Sequence, residues 1–351
     1  METLVITQSM YWRTKMSSSL AVKYRPSTFD DVSEQDAIKT ILEQQLKSGN
    51  IQHAYLFCGG AGTGKTTCAR IFANEINQHQ GVPIEIDAAS NSGVDDVREV
   101  IKQAQSKSLD SEYKIFIIDE CHSISNTGWQ AFLKLLEEPP AKSIFIFCTT
   151  DPQKIPKTIL SRVQRYDFQR ISQQGIVQRL DYILVKEQYL RDGYTTDYGQ
   201  AIEYLAKIAD GGMRDAITLM DKCLAYSNEL TLENVIKALG TVDYTVMFDL
   251  LEYILSKKSD DAMKLISDIY YSGKDLKLFI KQFTNFVLDV CKYNLIGSIN
   301  YTQIPSNYED RLKSFSEVPK HLLAVLVKLN SEIKWETSPK ALVEATLLLE
   351  V

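Results

Sequence analysis

The chain contains no Cys-x-x-Cys pair. Its six cysteines (Cys58, Cys68, Cys121, Cys148, Cys223 and Cys291) are scattered, most of them inside apolar stretches. That pattern reads as buried free thiols in a reducing compartment. The four histidines stand apart, so neighbouring residues assemble no metal-ligand cluster. No apolar run approaches the roughly 20 residues needed to cross a bilayer. The stretch Met1–Lys15 has an early acidic residue and no small-residue cleavage site, so it does not read as a signal peptide. An excess of positive charge is also missing. The formal net charge is −6, which argues against a free-standing, strongly basic DNA-binding module. It leaves open a local basic face, because counterion release depends only on the charges that face phosphate. There is no low-complexity linker and no internal repeat.

What is present is ordinary for a globular protein: 351 residues, 44% hydrophobic and 24% charged. That length suggests two or three domains. Residues 1–19 read as a poorly ordered extension, with Met16 as an alternative start. Up to about Arg170, short apolar runs alternate with helical patterns. Ala54–Cys58, Pro83–Ile86, Lys114–Ile118 and Ser143–Thr149 read as strands buried on both faces of a parallel sheet. Thr66–Ile76 reads as one of the intervening helices, with Ala69, Phe72 and Ile76 on one side. Strand and helix in alternation specify an α/β architecture. From about Ile171 the strand-like runs vanish. Ala201–Ala209, Asp275–Lys292 and Lys320–Ile333 carry apolar stripes at helical spacing. The turn Gly240-Thr241-Val242-Asp243 reads as a boundary between two helical parts.

Gly59-Gly60-Ala61-Gly62-Thr63-Gly64-Lys65-Thr66 fits GxxxxGK[ST]. Its glycines let backbone N–H groups curl around an anion where a side chain would obstruct. A helix opens immediately afterwards, with Thr67 in its first turn, and adds its N-terminal dipole. An apolar strand before it and an amphipathic helix after it set this stretch apart from a flexible glycine-rich turn. In a P-loop of this kind Lys65 reaches the β- and γ-phosphates of ATP and the Thr66 hydroxyl ligates Mg²⁺. A second element, Ile115–Glu120, is an apolar strand ending in two carboxylates. Alone it would read equally well as a helix N-cap or a surface turn. After a P-loop, Asp119 is placed to hold the Mg²⁺ and Glu120 to polarise an attacking water. With Cys121 and His122 the tetrad reads DECH, which also occurs in helicases, so a DNA translocase or branch-migration motor stands as the alternative reading.

Five stretches together resemble the AAA+ clamp-loader family, most closely the gamma/tau subunits of bacterial DNA polymerase III and more distantly the small subunits of replication factor C. They are Lys23-Tyr24-Arg25-Pro26 with Phe29–Val32 and Gln35; His53–Phe57; Glu85–Asn91; Leu135–Pro140; and Thr149–Pro156 followed by Ile159–Arg162. The resemblance runs from Leu20 onward. It implies a P-loop AAA+ domain over 20–170, with its parallel sheet between helices. A small helical lid over 171–241 and an all-α collar for oligomerisation over 242–351 would follow. It further implies that Tyr24, Arg25, Pro26 and Gln35 belong to a segment wrapping the adenine. Thr150 would be sensor 1, Arg162 an arginine finger offered to a neighbouring subunit's ATP, and Arg214 sensor 2. The implied cofactors are ATP and Mg²⁺. The implied partners are other loader subunits in a ring-like, pentameric assembly, a sliding clamp and primed-template DNA, with no membrane. The implied setting is the bacterial cytoplasm or nucleoid, or a host cytoplasm if the gene is viral.

The chain also departs from that family. Its usual four-cysteine zinc module should lie in the interval Asn74–Pro83, which has no cysteine, so no zinc is expected. The usual Ser-Arg-Cys reads Ser161-Arg162-Val163, and Ser33-Glu34 stands where the family often has glycine before Gln35. The sequence ends at Val351, about where the collar should finish, so no tau-type tether is expected. Intact Lys65, Thr66, Asp119 and Glu120 argue against a non-hydrolysing subunit of the delta-prime type. Lys102 and Lys107, near the expected sheet edge, are the weakest candidates, for DNA contact.

Overall fold

The computed structural model describes residues 18–106, 108, 110–187, 196–240, 243–315 and 318–350. The extension expected before Ser18, the boundary residues Thr241 and Val242, and Lys107 lie outside them. Two compact units result: one comprises the residues up to Ile171 with Gly212–Asp221, the other Ser172–Gly211 and the residues from Lys222 on.

The first unit begins with α1 (Leu20–Lys23) and α2 (Asp36–Ser48). Strands and helices then alternate: β1 (Ala54–Cys58), α3 (Lys65–Ile76), β2 (Ile84–Asp87), α4 (Val94–Gln105), β3 (Lys114–Asp119), α5 (Asn126–Glu137), β4 (Ser143–Thr149), α6 (Lys157–Leu160) and β5 (Gln164–Asp167). The five strands form one parallel sheet in the order β2-β3-β4-β1-β5. Each central strand is apolar on both sides, so successive residues feed two different cores. Tyr55, Phe57, Ile115, Ile117, Ile144, Ile146 and Cys148 pack with Ile38 and Leu42 of α2 and Cys68, Ala69 and Phe72 of α3. Ala54, Leu56, Cys58, Phe116, Ile118, Phe145 and Phe147 pack with Val97 and Val100 of α4 and Trp129, Phe132 and Leu136 of α5. Phe116 and Phe145 are register partners, and their rings stack with centroids 5.1 Å apart.

Four of these strands match the sequence expectation, with small shifts. β2 starts at Ile84 rather than Pro83, and α3 starts at Lys65, directly after Gly64 at φ 101°. The fifth strand, β5, is not among the expected elements. It reads Gln-Arg-Tyr-Asp, lies at the sheet edge, and buries only Tyr166.

Strand order decides where a ligand can sit. After β1 the chain crosses to β2 at the far edge, whereas after β4 it crosses the other way to β5. β1 and β4 are therefore the switch point, and the crevice beyond their C-terminal ends is where doubly wound sheets bind ligands.

The described residues of the second unit form α7 (Gln173–Lys186), α8 (Thr196–Ile208), the end of α9 (Met213–Tyr226), α10 (Leu232–Leu239), α11 (Tyr244–Leu255), α12 (Ser259–Tyr271), α13 (Leu276–Ile296), α14 (Glu309–Lys313), α15 (Lys320–Glu332) and α16 (Pro339–Glu350). The three expected helical stripes fall in α8, α13 and α15, except that Ala209 and Ile333 lie just past the ends of α8 and α15. Asp275 caps α13 by accepting from Lys277 N and Leu278 N, and the helix runs past Lys292 to end before Gly297 at φ 73°. Phe279, Ile280, Phe283, Val287 and Val290 are its buried stripe. No helix among the described residues is long and apolar enough to cross a membrane.

Candidate active site

The loop after β1 is built from the backbone outward. Gly59 takes φ 151°, and a Cβ there would lie 2.6 Å from the Phe168 carbonyl oxygen. Gly59 N donates to Thr149 O (3.2 Å), which ties the loop to the end of β4. Thr63 is buried, and its hydroxyl donates to Gly60 O (3.0 Å). The Lys65 ammonium lies under the loop and donates to Gly59 O (2.9 Å) and Gly60 O (2.7 Å). Burial lowers its pKa, while the nearby Cys148, Glu120 and Asp119 act the other way. Thr67 follows in the first turn of α3 and is half-buried.

The two carboxylates stand at the end of β3, one on each side of the strand's last peptide. Thr66 Oγ1 donates to Asp119 Oδ2 (2.7 Å), so a hydroxyl and a carboxylate from different elements share one spot. These are hard oxygen donors, the kind Mg²⁺ takes alongside phosphates and waters. Among the described residues no group of three or more His, Cys, Asp or Glu could hold a metal by itself. An octahedral ion that uses only one or two protein ligands fits that arrangement. Glu120 leaves the strand at φ 46°, and its N–H donates to Asp119 Oδ1 (3.0 Å). The Thr150 hydroxyl donates to Glu120 Oε2 (3.0 Å), so the expected sensor lies against the expected base. Adjacent Thr149 is fully buried and faces elsewhere: its oxygen accepts from Asp151 N (3.0 Å) and sits 3.2 Å from His122 Nδ1.

The far side of the loop is closed by residues 20–35, Gln169 and the start of α9. Gln35 is buried, donates to Gln169 O (2.7 Å) and accepts from Gln169 N (3.1 Å). Glu34 and Gln35 both adopt left-handed backbone, at φ 57° and 59°, a conformation that glycine takes at least cost. Gly62, at φ 69°, abuts the start of α9. Its carbonyl accepts from Met213 N (3.0 Å), and a Cβ on it would lie 3.0 Å from Gly212 Cα and 3.3 Å from Arg214 N. Leu20 N donates to Asp221 Oδ2 (3.1 Å), which fastens α1 to the same helix. Half-buried Tyr24, Arg25 and Pro26 follow α1 directly, with Lys23 Nζ 5.4 Å from the centre of the Tyr24 ring. The Arg25 pKa is lowered by burial first and then by the charges of Arg70 and Arg214, so three cations share this side of the loop. Arg70 is ion-paired to Glu85 of β2.

Arg162 stands apart. Among the described residues its hydrogen bonds run to Thr158 O (2.7 Å), Ser161 Oγ (3.2 Å) and Glu137 Oε1 (2.6 Å), rather than to the phosphate loop. Lys102 is exposed on α4. Sequence reasoning did not single out His122, Arg70, Glu85 or Gln169. The available signal for His122 was its place in the DECH tetrad. Arg70 offers a weaker one, five residues past Lys65 on the same helix. Gln169 carries none.

Three family models match in succession: DNA polymerase III, delta subunit, over 77–172; DNA polymerase III clamp loader subunit, ATPase lid domain, over 175–229; and DNA polymerase III subunits gamma and tau domain III, over 230–348. The DNA polymerase III subunit tau of Bacillus subtilis is 34% identical, covering 93% of this chain and 62% of that protein. The subunit tau of Salmonella typhimurium is 31% identical and 54% covered. The chain thus spans little more than half the length of these two relatives. The subunit gamma of Buchnera aphidicola is 31% identical, with 94% of this chain and 97% of that protein covered. Among solved structures, the RuvB Holliday junction branch migration motor of Thermotoga maritima aligns with a TM-score of 0.52 at 18% identity, covering 66% of this chain and 79% of that one. At that identity the likeness concerns the fold alone.

Proposed function

Because the chain belongs to the gamma/tau family of DNA polymerase III subunits, we propose that it is the ATP-hydrolysing subunit of a sliding-clamp loader. The observation that carries the reading is the convergence, beyond the C-terminal ends of β1, β3 and β4, of Lys65 under the loop, Thr66 on Asp119, and Thr150 on Glu120. The roles follow from position. The loop N–H groups and Lys65 hold the β- and γ-phosphates, and the loop carbonyls that the ammonium now holds give way to phosphate oxygens. Thr66 and Asp119 would hold Mg²⁺, which when bound would offset the negative charge of the phosphates. Glu120 orients the attacking water and receives its proton, and Thr150 fixes the carboxylate that does so. Tyr24, Arg25, Pro26 and Gln35 flank the base and ribose, with Thr67 completing the loop. Arg214, at the first turn of α9 beside Gly62, serves as the sensor that reports the γ-phosphate.

Arg162 has no role in its own site; it follows the short helix α6, half-buried and held by Glu137. We assign it to a neighbour's nucleotide, where a cation offered in trans neutralises charge developing on the transferred phosphoryl. The chain then works in a ring of loader subunits, with 20–170 as motor, 171–241 as lid and 242–351 as the oligomerising collar. ATP binding organises the ring to grip an open clamp, primed-template DNA completes the catalytic geometry, and hydrolysis releases the closed clamp. On this reading the protein works in the cytoplasm, and its motor carries no zinc module. The branch-migration alternative shares the fold, but the match of 230–348 to a gamma/tau domain favours the loader. The test is ATP-dependent clamp capture by the purified chain with its loader partners. Clamp retained with ATP and released with ADP supports the proposal. Clamp ignored in both nucleotide states contradicts it.

A further inference from the structure

We infer that His122 is the positioning residue for Glu120, and that it couples the hydrolytic carboxylate to the phosphate loop through Thr149. The inference rests on the reading of Glu120 as the water-activating base. β3 ends at Asp119, and the chain turns at once into a short 3₁₀ turn, Cys121–Ser123, with Ser123 N donating to Glu120 O (2.9 Å). That turn brings the imidazole back over the residue two positions earlier. His122 Nδ1 lies 3.2 Å from Glu120 Oε2, and the ring is largely enclosed, with 19% of its side chain exposed.

The chemistry of the partners fixes the proton. A carboxylate can only accept, so Nδ1 must carry hydrogen to serve Glu120. The Thr149 oxygen, also 3.2 Å from Nδ1, faces the same ring nitrogen and steadies that edge of the imidazole. Thr149 is itself anchored by both side chain and backbone. It is fully buried, its side chain accepts from Asp151 N, and its carbonyl accepts from Gly59 N at the start of the phosphate loop. A continuous path results: Gly59, Thr149, His122, Glu120. Both contacts to the carboxylate, from His122 and from Thr150, land on Oε2. Holding Oε2 from two sides turns Oε1 outward as the oxygen presented to water. Movement of Gly59 as the loop takes up phosphate is thereby passed to the group that activates the nucleophile.

The test uses the full chain with its loader partners, ATP and Mg²⁺. His122→Ala should lower kcat by about 10- to 100-fold, the worth of one hydrogen bond to a charged group. Its KM and its equilibrium affinity for ATP should stay within about twofold, since the ring touches no phosphate group. His122→Asn places an amide donor where Nδ1 stood and should restore most of kcat. His122→Gln, which reaches toward the position of Nε2, should not. In the unsubstituted chain, the ¹⁵N shifts of His122 should report hydrogen on Nδ1. Unchanged kcat in His122→Ala, equal rescue by Asn and Gln, or a kcat loss matched by lost ATP affinity would each overturn the inference. Glu120→Gln separates it from its premise. If that variant hydrolyses ATP normally, the reading of Glu120 has failed. If it is inactive while His122→Ala is normal, only the present inference has.

Discussion

Two inactive variants should complement each other if Arg162 acts on a neighbour's ATP. Glu120→Gln removes the base from a subunit's own site and leaves its arginine intact, whereas Arg162→Ala does the reverse. In the structure Arg162 makes one half-exposed ion pair, 2.6 Å to Glu137, and a bond to Thr158 O. Losing a surface pair of this kind costs about 0–1 kcal/mol, so Tm should fall by no more than ~4 °C. The catalytic loss should be far larger, about 10³-fold or more, as for other cations supplied in trans to a phosphoryl group. When the two variants are assembled at equal ratio in a ring of like subunits, half the sites keep Glu120. Half of those face an intact Arg162. Roughly one quarter of unsubstituted activity should therefore return from two preparations with almost none, because a head-to-tail interface pairs each site with one neighbour. The assay is steady-state phosphate release, with the variants mixed before assembly. Absence of recovery, alongside a normal Tm and normal assembly, would refute the trans assignment. So would a Tm drop of ~10 °C in Arg162→Ala, which would make its inactivity a matter of folding.

Other expectations are read from the same contacts. Gly62→Ala places a Cβ 3.0 Å from Gly212 Cα at φ 69°. It should destabilise by about 1–3 kcal/mol and weaken ATP affinity, seen together by thermal melting and nucleotide titration. Gln35→Ala leaves the Gln169 N–H without its acceptor; a loss of about 1–3 kcal/mol should appear in urea denaturation. Burial pushes the Cys58 thiol to about 11 and Cys68 to about 12, against an ordinary 9.0, while half-buried Cys291 is the most accessible of the six. Labelling native protein at pH 8 with a disulfide reagent should therefore modify Cys291 first, as read by mass spectrometry. These raised values also set a sign. Above pH 9.0 the unfolded chain loses thiol protons that the folded chain keeps. Stability should hold level below that pH and fall as it rises toward 12, a trend that a melt series would reveal.

The parts of this molecule legible in sequence are those whose signal is local. The phosphate loop declares itself through glycine spacing, and β1, β3 and β4 through unbroken apolar runs that both cores require. β5 gave no such run, because an edge strand buries one residue in four. Its faint signal was Tyr166 and Phe168 at a spacing of two, both buried. Neighbouring residues of a strand face opposite ways, but only the fold shows that Thr150 rather than Thr149 meets Glu120. Contacts between distant residues were not legible at all. Gln35 with Gln169, Leu20 with Asp221, and Gly62 with the start of α9 each join segments whose separation carries no periodicity. Arg214 was placed by family resemblance, and its setting beside Arg25 came only with the structure.

The most direct test of the account is ATP hydrolysis by the chain and its loader partners, with clamp and primed-template DNA added singly and together. The account predicts strong stimulation only when both are present, abolished by Glu120→Gln. Equal stimulation by any duplex or branched DNA, with the clamp irrelevant, would contradict it and point to a translocase.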